Sequence, residues 1–310
     1  MSTSTKPSSP VRYVVPSALA WLLLVVAGAL GAVSVPLVDA IALLGVAVVL
    51  PLALGGPMIA WAVSATALFA GFQVPAGVPA ALLVTPLAAT VAAVAIVAWT
   101  RARSGPRVQA WSIDRGVDVL AGAYALVAVS ALIASRLGAE PLGIREPIVE
   151  LTAVHFTYAG VAALVLARQA LAGATGHWIP AARTAVGATA AAPLLVAVGF
   201  VTGSAWPQVG GALVMTLGVW LTATLELRAA ATRPHRFGSV LLWVSGLAIW
   251  VPMVLAVAWA SGQHWDVPAL SIPDMARTHG LVNALAFVLC GLVGGQLARP
   301  AADPGVGVGS

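Results

Sequence analysis

Long apolar runs alternate along the chain with short polar joints. Ten runs reach or approach the roughly 17–25 residues that a bilayer-crossing helix needs: 13–35, 37–54, 57–72, 79–99, 117–138, 148–170, 182–203, 207–226, 238–260 and 273–297. The third is the shortest. Pro and Gly mark the joints, at Pro36, Gly55-Gly56-Pro57, Pro75 to Pro79, Pro147, Pro207 and Pro273. Several of these prolines sit at helix starts, where the missing N–H costs nothing. Pro51, Pro86, Pro193 and Pro252 fall inside runs and predict kinks. The pattern predicts an all-α fold, a polytopic transmembrane bundle of about ten spans. A single transmembrane domain over 13–299 would lie between a disordered N-terminus, 1–12, and a flexible tail, 300–310. The first run exceeds the roughly 7–15-residue core of a signal peptide and reads as an uncleaved helix.

Composition agrees. Of 310 residues, 60% are hydrophobic and 8% charged, against about a quarter charged in a soluble domain. So few charges cannot coat a water-facing surface. The net charge of +5 would point to nucleic acid in a soluble protein; here the cations read as topology signals. With both termini in the cytoplasm, the inner joints hold Lys6, Arg12, Arg101, Arg103, Arg107, Arg115, Arg168, Arg183, Arg228, Arg233, Arg236 and Arg299, and the outer ones only Arg136, Arg145 and Arg277. That bias sets the orientation and argues against merging or splitting a run. The expected location is the cell membrane, in a bacterium the inner one. Most acids fall toward the outer face: Asp39, Glu140, Glu146, Glu150, Asp266 and Asp274. The lone Cys290 rules out a disulfide within the chain. Many of the 11 tryptophans, Trp61, Trp99 and Trp206 among them, fall near predicted helix ends, as an aromatic belt would.

Two stretches break the apolar rule. Glu150, Thr152, His155, Thr157 and Tyr158 open the sixth run, and Asp274, Arg277, His279 and Asn283 open the tenth. Polar groups on membrane helices are costly and mark functional sites by default. His155 lies about eight residues into its helix and His279 about six, so at ~1.5 Å per residue both sit roughly 9–12 Å below the outer end. If the two helices are neighbours, the imidazoles can face each other. Helical spacing puts Thr152, His155 and Tyr158 on one face, and His279 with Asn283 on another. Gly160 and Gly280 would admit a close neighbour. Ser271 three residues before Asp274 predicts a capped helix start, and Asp274 can pair with Arg277. Asp39 and Glu150 would line the entrance or face headgroups. A helix–helix hydrogen bond would account for either histidine alone. On the inner side, Glu226 and Arg228 read as an interfacial charge cluster, Asp118 as the partner of Arg115, and His177, His235 and His264 as loop residues.

The segments Thr152-Ala153-Val154-His155-Phe156-Thr157-Tyr158-Ala159-Gly160 and Arg277-Thr278-His279-Gly280-Leu281-Val282-Asn283-Ala284, with Phe287, resemble the signature segments of the YndJ-like bacterial membrane proteins. The resemblance implies a membrane protein, commonly labelled a transporter, without an established activity. Thr157 stands where the family often has a second aromatic residue or histidine; if a histidine is usual there, the resemblance implies a weakened metal role here.

No Walker loop, dinucleotide fingerprint, HExxH or GxSxG occurs, so ATP-driven and hydrolase chemistry lack their usual signals. The leading expectation is a membrane transporter of a small solute. His155 and His279 would bind substrate or relay protons, with Asn283, Tyr158 and Thr152 beside them and Glu150, Asp274, Arg277 and Asp39 nearer the surface. One alternative is a haem or metal protein with His155 and His279 as opposed ligands. Another is an integral membrane enzyme acting on a lipid or isoprenoid by acid–base chemistry. The expected partners are the lipid bilayer and a small solute or lipid, not nucleic acid.

Overall fold

A computed structural model describes residues 10–104, 112–232 and 236–298. Of the expected tails, 1–9 and 300–310 lie outside the described residues, as do Lys6, Arg107, Arg233, His235 and Arg299, whereas 10–12 open the first helix. The described residues form no strand. They make rods in the order α1 (Pro10–Ala29), α2 (Leu37–Leu54), α3 (Met58–Phe72), α4 (Val78–Arg103), α5 (Ile113–Leu137), α6 (Ile148–Ala172), α7 (Ile179–Thr202), α8 (Ala205–Thr232), α9 (Arg236–Gly262) and α10 (Ile272–Leu297). Eight stretches among the described residues are long and apolar enough to cross a membrane; the apolar parts of α1 and α3 are shorter. The chain is a multi-pass membrane protein. Its outside is studded with exposed apolar side chains, Leu23, Ile59, Ile96, Leu247 and Val251 among them, a surface that water would not tolerate and lipid does. Trp99 and Trp206 join that surface, whereas Trp61 is fully buried and donates its indole N–H to the Gly55 carbonyl.

Of the interior prolines, Pro86 and Pro252 break their rods as predicted, whereas α7 runs unbroken through Pro193. The helix of α4 is interrupted at Leu83 and Val84, just before Pro86, and the Leu82 carbonyl takes the Thr85 hydroxyl instead, at 2.7 Å. Rod α9 breaks at Ile249, three residues before Pro252. Each proline removes one backbone donor, and the chain loosens one turn earlier.

Rod α2 lies at the centre. From Asp39 to Leu52 every residue is buried, packed by α6, α10, α1 and α3. Rods α7 and α8 form the closest pair. A Cβ on Gly199 would lie 2.5 Å from the backbone nitrogen of Gln208, and one on Gly211 2.7 Å from that of Val196. Without a hydrophobic drive between helices in lipid, close backbone approach through small residues supplies the contact.

Rods α6 and α10 pack against each other, so the two polar stretches meet. Both contain π-helical segments, Phe156–Ala162 in α6 and Ala276–Gly280 and Val282–Leu289 in α10; a fourth, Gly45–Val49, interrupts α2. Such widened turns recur at functional sites. At its start, α10 is capped as the sequence predicts: Ser271 Oγ accepts from the Asp274 N–H at 3.3 Å and donates to Asp274 Oδ2 at 2.6 Å. Ser271→Ala should lower stability by about 1 kcal/mol, read as a small drop in Tm in detergent; an unchanged Tm would show that the cap contributes nothing.

Candidate functional site

The loops 138–147 and 263–271 lie at one end of the bundle, called here the first face; 173–178 lies at the second. A cavity of about 540 Å³ occupies the half of the bundle nearer the first face, walled by α5 to α10 and touching α2 at Ile41. Most of its lining is apolar, including Phe156, Phe200, Met215, Met253 and Trp259. Its polar lining is sparse: Ser130, Thr152, His155, Tyr158, Gln208, His279 and Asn283. A largely apolar concavity with a few placed polar groups is the usual form of a small-molecule site.

The two histidines are held differently. His279 is fixed at both ring nitrogens. Nδ1 lies 2.8 Å from the Pro252 carbonyl, and Nε2 lies 2.9 Å from Asn283 Nδ2. A carbonyl only accepts, so Nδ1 carries the hydrogen and Nε2 accepts from the amide. The accepting carbonyl lies on α9, just past the break at Ile249. His155 has no side-chain hydrogen bond among the described residues. Its ring is exposed to the cavity and meets Phe156 edge-on at 6.4 Å. One imidazole is thus a fixed acceptor arrangement and the other a free donor and acceptor.

Thr152 gives its hydroxyl to the Ile148 carbonyl at 2.7 Å. Tyr158 reaches across to α2, donating to the Ile41 carbonyl at 2.9 Å. The wide turn that starts at Phe156 swings Tyr158 toward α2, and Gly45 leaves room there: a Cβ on it would lie 2.9 Å from Thr157 Cγ2. Gly160 performs the same service against Tyr124, where a Cβ would lie 3.1 Å from the side chain; Gly280 meets only ordinary contact with Ile41 at 3.5 Å.

Of the residues singled out from the sequence, Thr152, His155, Tyr158, His279 and Asn283 line the cavity. Four do not. Asp274 and Arg277 pair at 3.2 Å on the exposed start of α10. Asp39, on α2, and Glu150, on α6, turn their carboxyls to each other, with Arg136 and Glu146 nearby. Glu150 Oε1 is buried without a hydrogen-bond partner among the described residues.

Sequence reasoning passed over Gln208. It is 3% exposed, lines the cavity, and its Oε1 meets His264 Nε2 at 2.8 Å. His264 is therefore not an idle loop residue: it anchors the cavity wall. Asp118 also pairs differently from expectation, with Arg168 on α6 rather than Arg115 one turn away.

As to metals, no three His, Cys, Asp or Glu side chains among the described residues are placed to hold one ion together. His155 and His279 are the imidazoles that could oppose each other across the cavity, and His279 could coordinate through Nε2 only by giving up its bond to Asn283.

A family model described as YndJ-like protein matches residues 40–287. No curated protein matches the chain, and no solved structure does.

Proposed function

The chain belongs to the YndJ-like protein family, and from that premise we propose that it carries a small, largely apolar solute across the cell membrane, in a bacterium the inner one. The observation that carries this reading is the cavity of about 540 Å³ between the rods, lined by one fixed and one unpartnered imidazole. We count ten spans, with α1 and α3 included despite their shorter apolar parts, and both termini in the cytoplasm. Twelve of the 15 Lys and Arg then lie on or near the inner side. The first face is the outer one, and the cavity opens outward.

In this reading the apolar wall takes the body of the solute. His155, unpartnered, meets its polar end, and His279, locked by Pro252 and Asn283, presents a fixed edge. With neither ring nitrogen partnered among the described residues, His155 is also the group placed to exchange a proton with the solute. The Asp274–Arg277 pair and the Asp39–Glu150 pair flank the outer end of the path without touching the cavity.

The test is flux. Purified protein in proteoliposomes, screened against amphipathic solutes, should move at least one class. His155→Ala should slow that flux at least about tenfold, the equivalent of one lost hydrogen bond of about 1.4 kcal/mol. Flux of no solute across the screen, or full flux in His155→Ala, would overturn the reading. The apolar lining also suits a lipid or isoprenoid enzyme in which His155 moves a proton; a product appearing in added lipid, with no flux, would decide for it.

A further inference from the structure

Glu226 has no part in the cavity described above. Rod α8 runs on to Thr232, so Glu226 lies inside the helix rather than at its end, and it is 5% exposed. We propose that Glu226 is a proton-binding site, filled and emptied from the second face of the bundle.

The argument begins with Ser245 on α9. Its Oγ lies 2.7 Å from Glu226 Oε2 and 2.8 Å from the Phe287 carbonyl of α10. A hydroxyl has one hydrogen, and a backbone carbonyl can only accept. Ser245 can therefore donate to one of these oxygens, not both. The two short contacts are hydrogen bonds together when Ser245 donates to Phe287 and Glu226 donates to Ser245. That requires a proton on the carboxyl. The geometry holds a place for it.

Among the described residues no cation forms an ion pair with it. Ion pairs among the described residues join Arg145 to Glu140, Arg168 to Asp118 and Arg277 to Asp274. Arg228, two residues beyond Glu226, lies over the Trp178 ring at 4.2 Å from its centre. The groups brought to the carboxyl by the packed rods are Ser245 from α9, Cys290 from α10 and, from α6, Leu166 and the neutral Gln169. Cys290 is the titratable group among them. Gly291 keeps the site tight: a Cβ there would lie 2.9 Å from Glu226 Oε1.

A route to water exists. A second pocket of about 350 Å³ is lined by Glu226, Gln169, Trp178, Arg228, Thr232 and neighbouring small residues near the second face. Gln169 Oε1 and Trp178 Nε1 border it and are buried without hydrogen-bond partners among the described residues. Such groups are normally satisfied by water in a polar pocket. A hydronium in the pocket gives its proton to Glu226 and leaves as water; the reverse step restores the carboxylate. Phe287 closes the arrangement. Its side chain lines the first cavity, while its carbonyl is held by the hydroxyl that meets Glu226. The proton site thus stands at the wall between the two spaces. Binding of the proton needs no transport; its use as a coupling ion rests on the transport reading.

The experiment is infrared difference spectroscopy of the full-length protein in lipid nanodiscs, titrated from about pH 4 to about pH 10, a range that brackets strongly shifted carboxyls. The protonated-carboxyl C=O band should vanish as pH rises, and the titrating band should be missing in Glu226→Gln. Ser245→Ala, a milder change, should keep the band and move it to higher frequency, because one hydrogen bond is lost. His155→Ala should leave it untouched. A spectrum identical in wild type and Glu226→Gln, a band that never titrates, or a band displaced by sodium at constant pH would overturn the proposal. Failure to find any transported solute would remove the transport reading and leave this result standing.

Discussion

Asn283→Leu should cut solute flux by about 10- to 100-fold while leaving Tm nearly unchanged. Asn283 acts on His279 alone: its Nδ2 holds the ring's Nε2 at 2.9 Å, and its own Oδ1 is buried with no partner among the described residues. Leucine has nearly the same shape. It frees the ring to turn about its remaining bond to Pro252, and it removes an unpaired acceptor. A lost hydrogen bond that positions a functional ring is worth about 1–3 kcal/mol, or roughly that range of flux. Loss of the unpaired Oδ1 offsets the acceptor left unpaired at the cavity-facing Nε2 of His279, so the net change in stability is small. Lost activity at nearly unchanged stability distinguishes a site from a structural tie. A fall in Tm with flux preserved would assign Asn283 to packing.

Gly199→Ala should be the most damaging of the small substitutions. The added methyl would meet backbone atoms of Gln208 at 2.5 Å, and backbone cannot step aside as a side chain can. Rods α7 and α8 would have to part. Overpacking typically costs about 1–3 kcal/mol, and the upper end applies here. The measurement is thermal unfolding in detergent, with Gly187→Ala as the control. That methyl would meet nothing within 4 Å and should be neutral or stabilise by up to about 1 kcal/mol through helix propensity. Equal Tm values for the two variants would refute the close-packing account. Because Gln208 lines the first cavity, Gly199→Ala should also slow flux in whatever protein still folds.

Much of this architecture was legible in the residues. Runs of apolar residues long enough to cross a bilayer gave the rods. Pro86 and Pro252 marked the interruptions of α4 and α9, and Ser271 with Asp274 gave the start of α10. Counting along the helices puts His155 and His279 at similar depth, and both line the cavity. What escaped has specific causes. The π-helical segments of α2, α6 and α10 leave no signature in a pattern read at the ordinary helical period, so Tyr158 could not be foreseen on Ile41. Glu226 looked interfacial because the apolar run fades near it, yet α8 continues two turns further and buries it. Its hydroxyl partner, Ser245, lies on another rod, as does Arg168, the true partner of Asp118. Contacts between distant segments are set by packing of whole helices, and one-dimensional spacing does not carry them.

Rod α2 is at once the most buried and the most hydropathic of the eight long spans. Those two properties answer to different moments in the life of the protein. Chains emerge from the ribosome N-terminus first, so α2 reaches the bilayer before α6 and α10, the rods that later enclose it, have been made. During that interval its neighbours are acyl chains, and a segment with more polar faces would be held back at the translocon. A central strut that must first survive alone in lipid is greasier than its final, protein-lined surroundings demand.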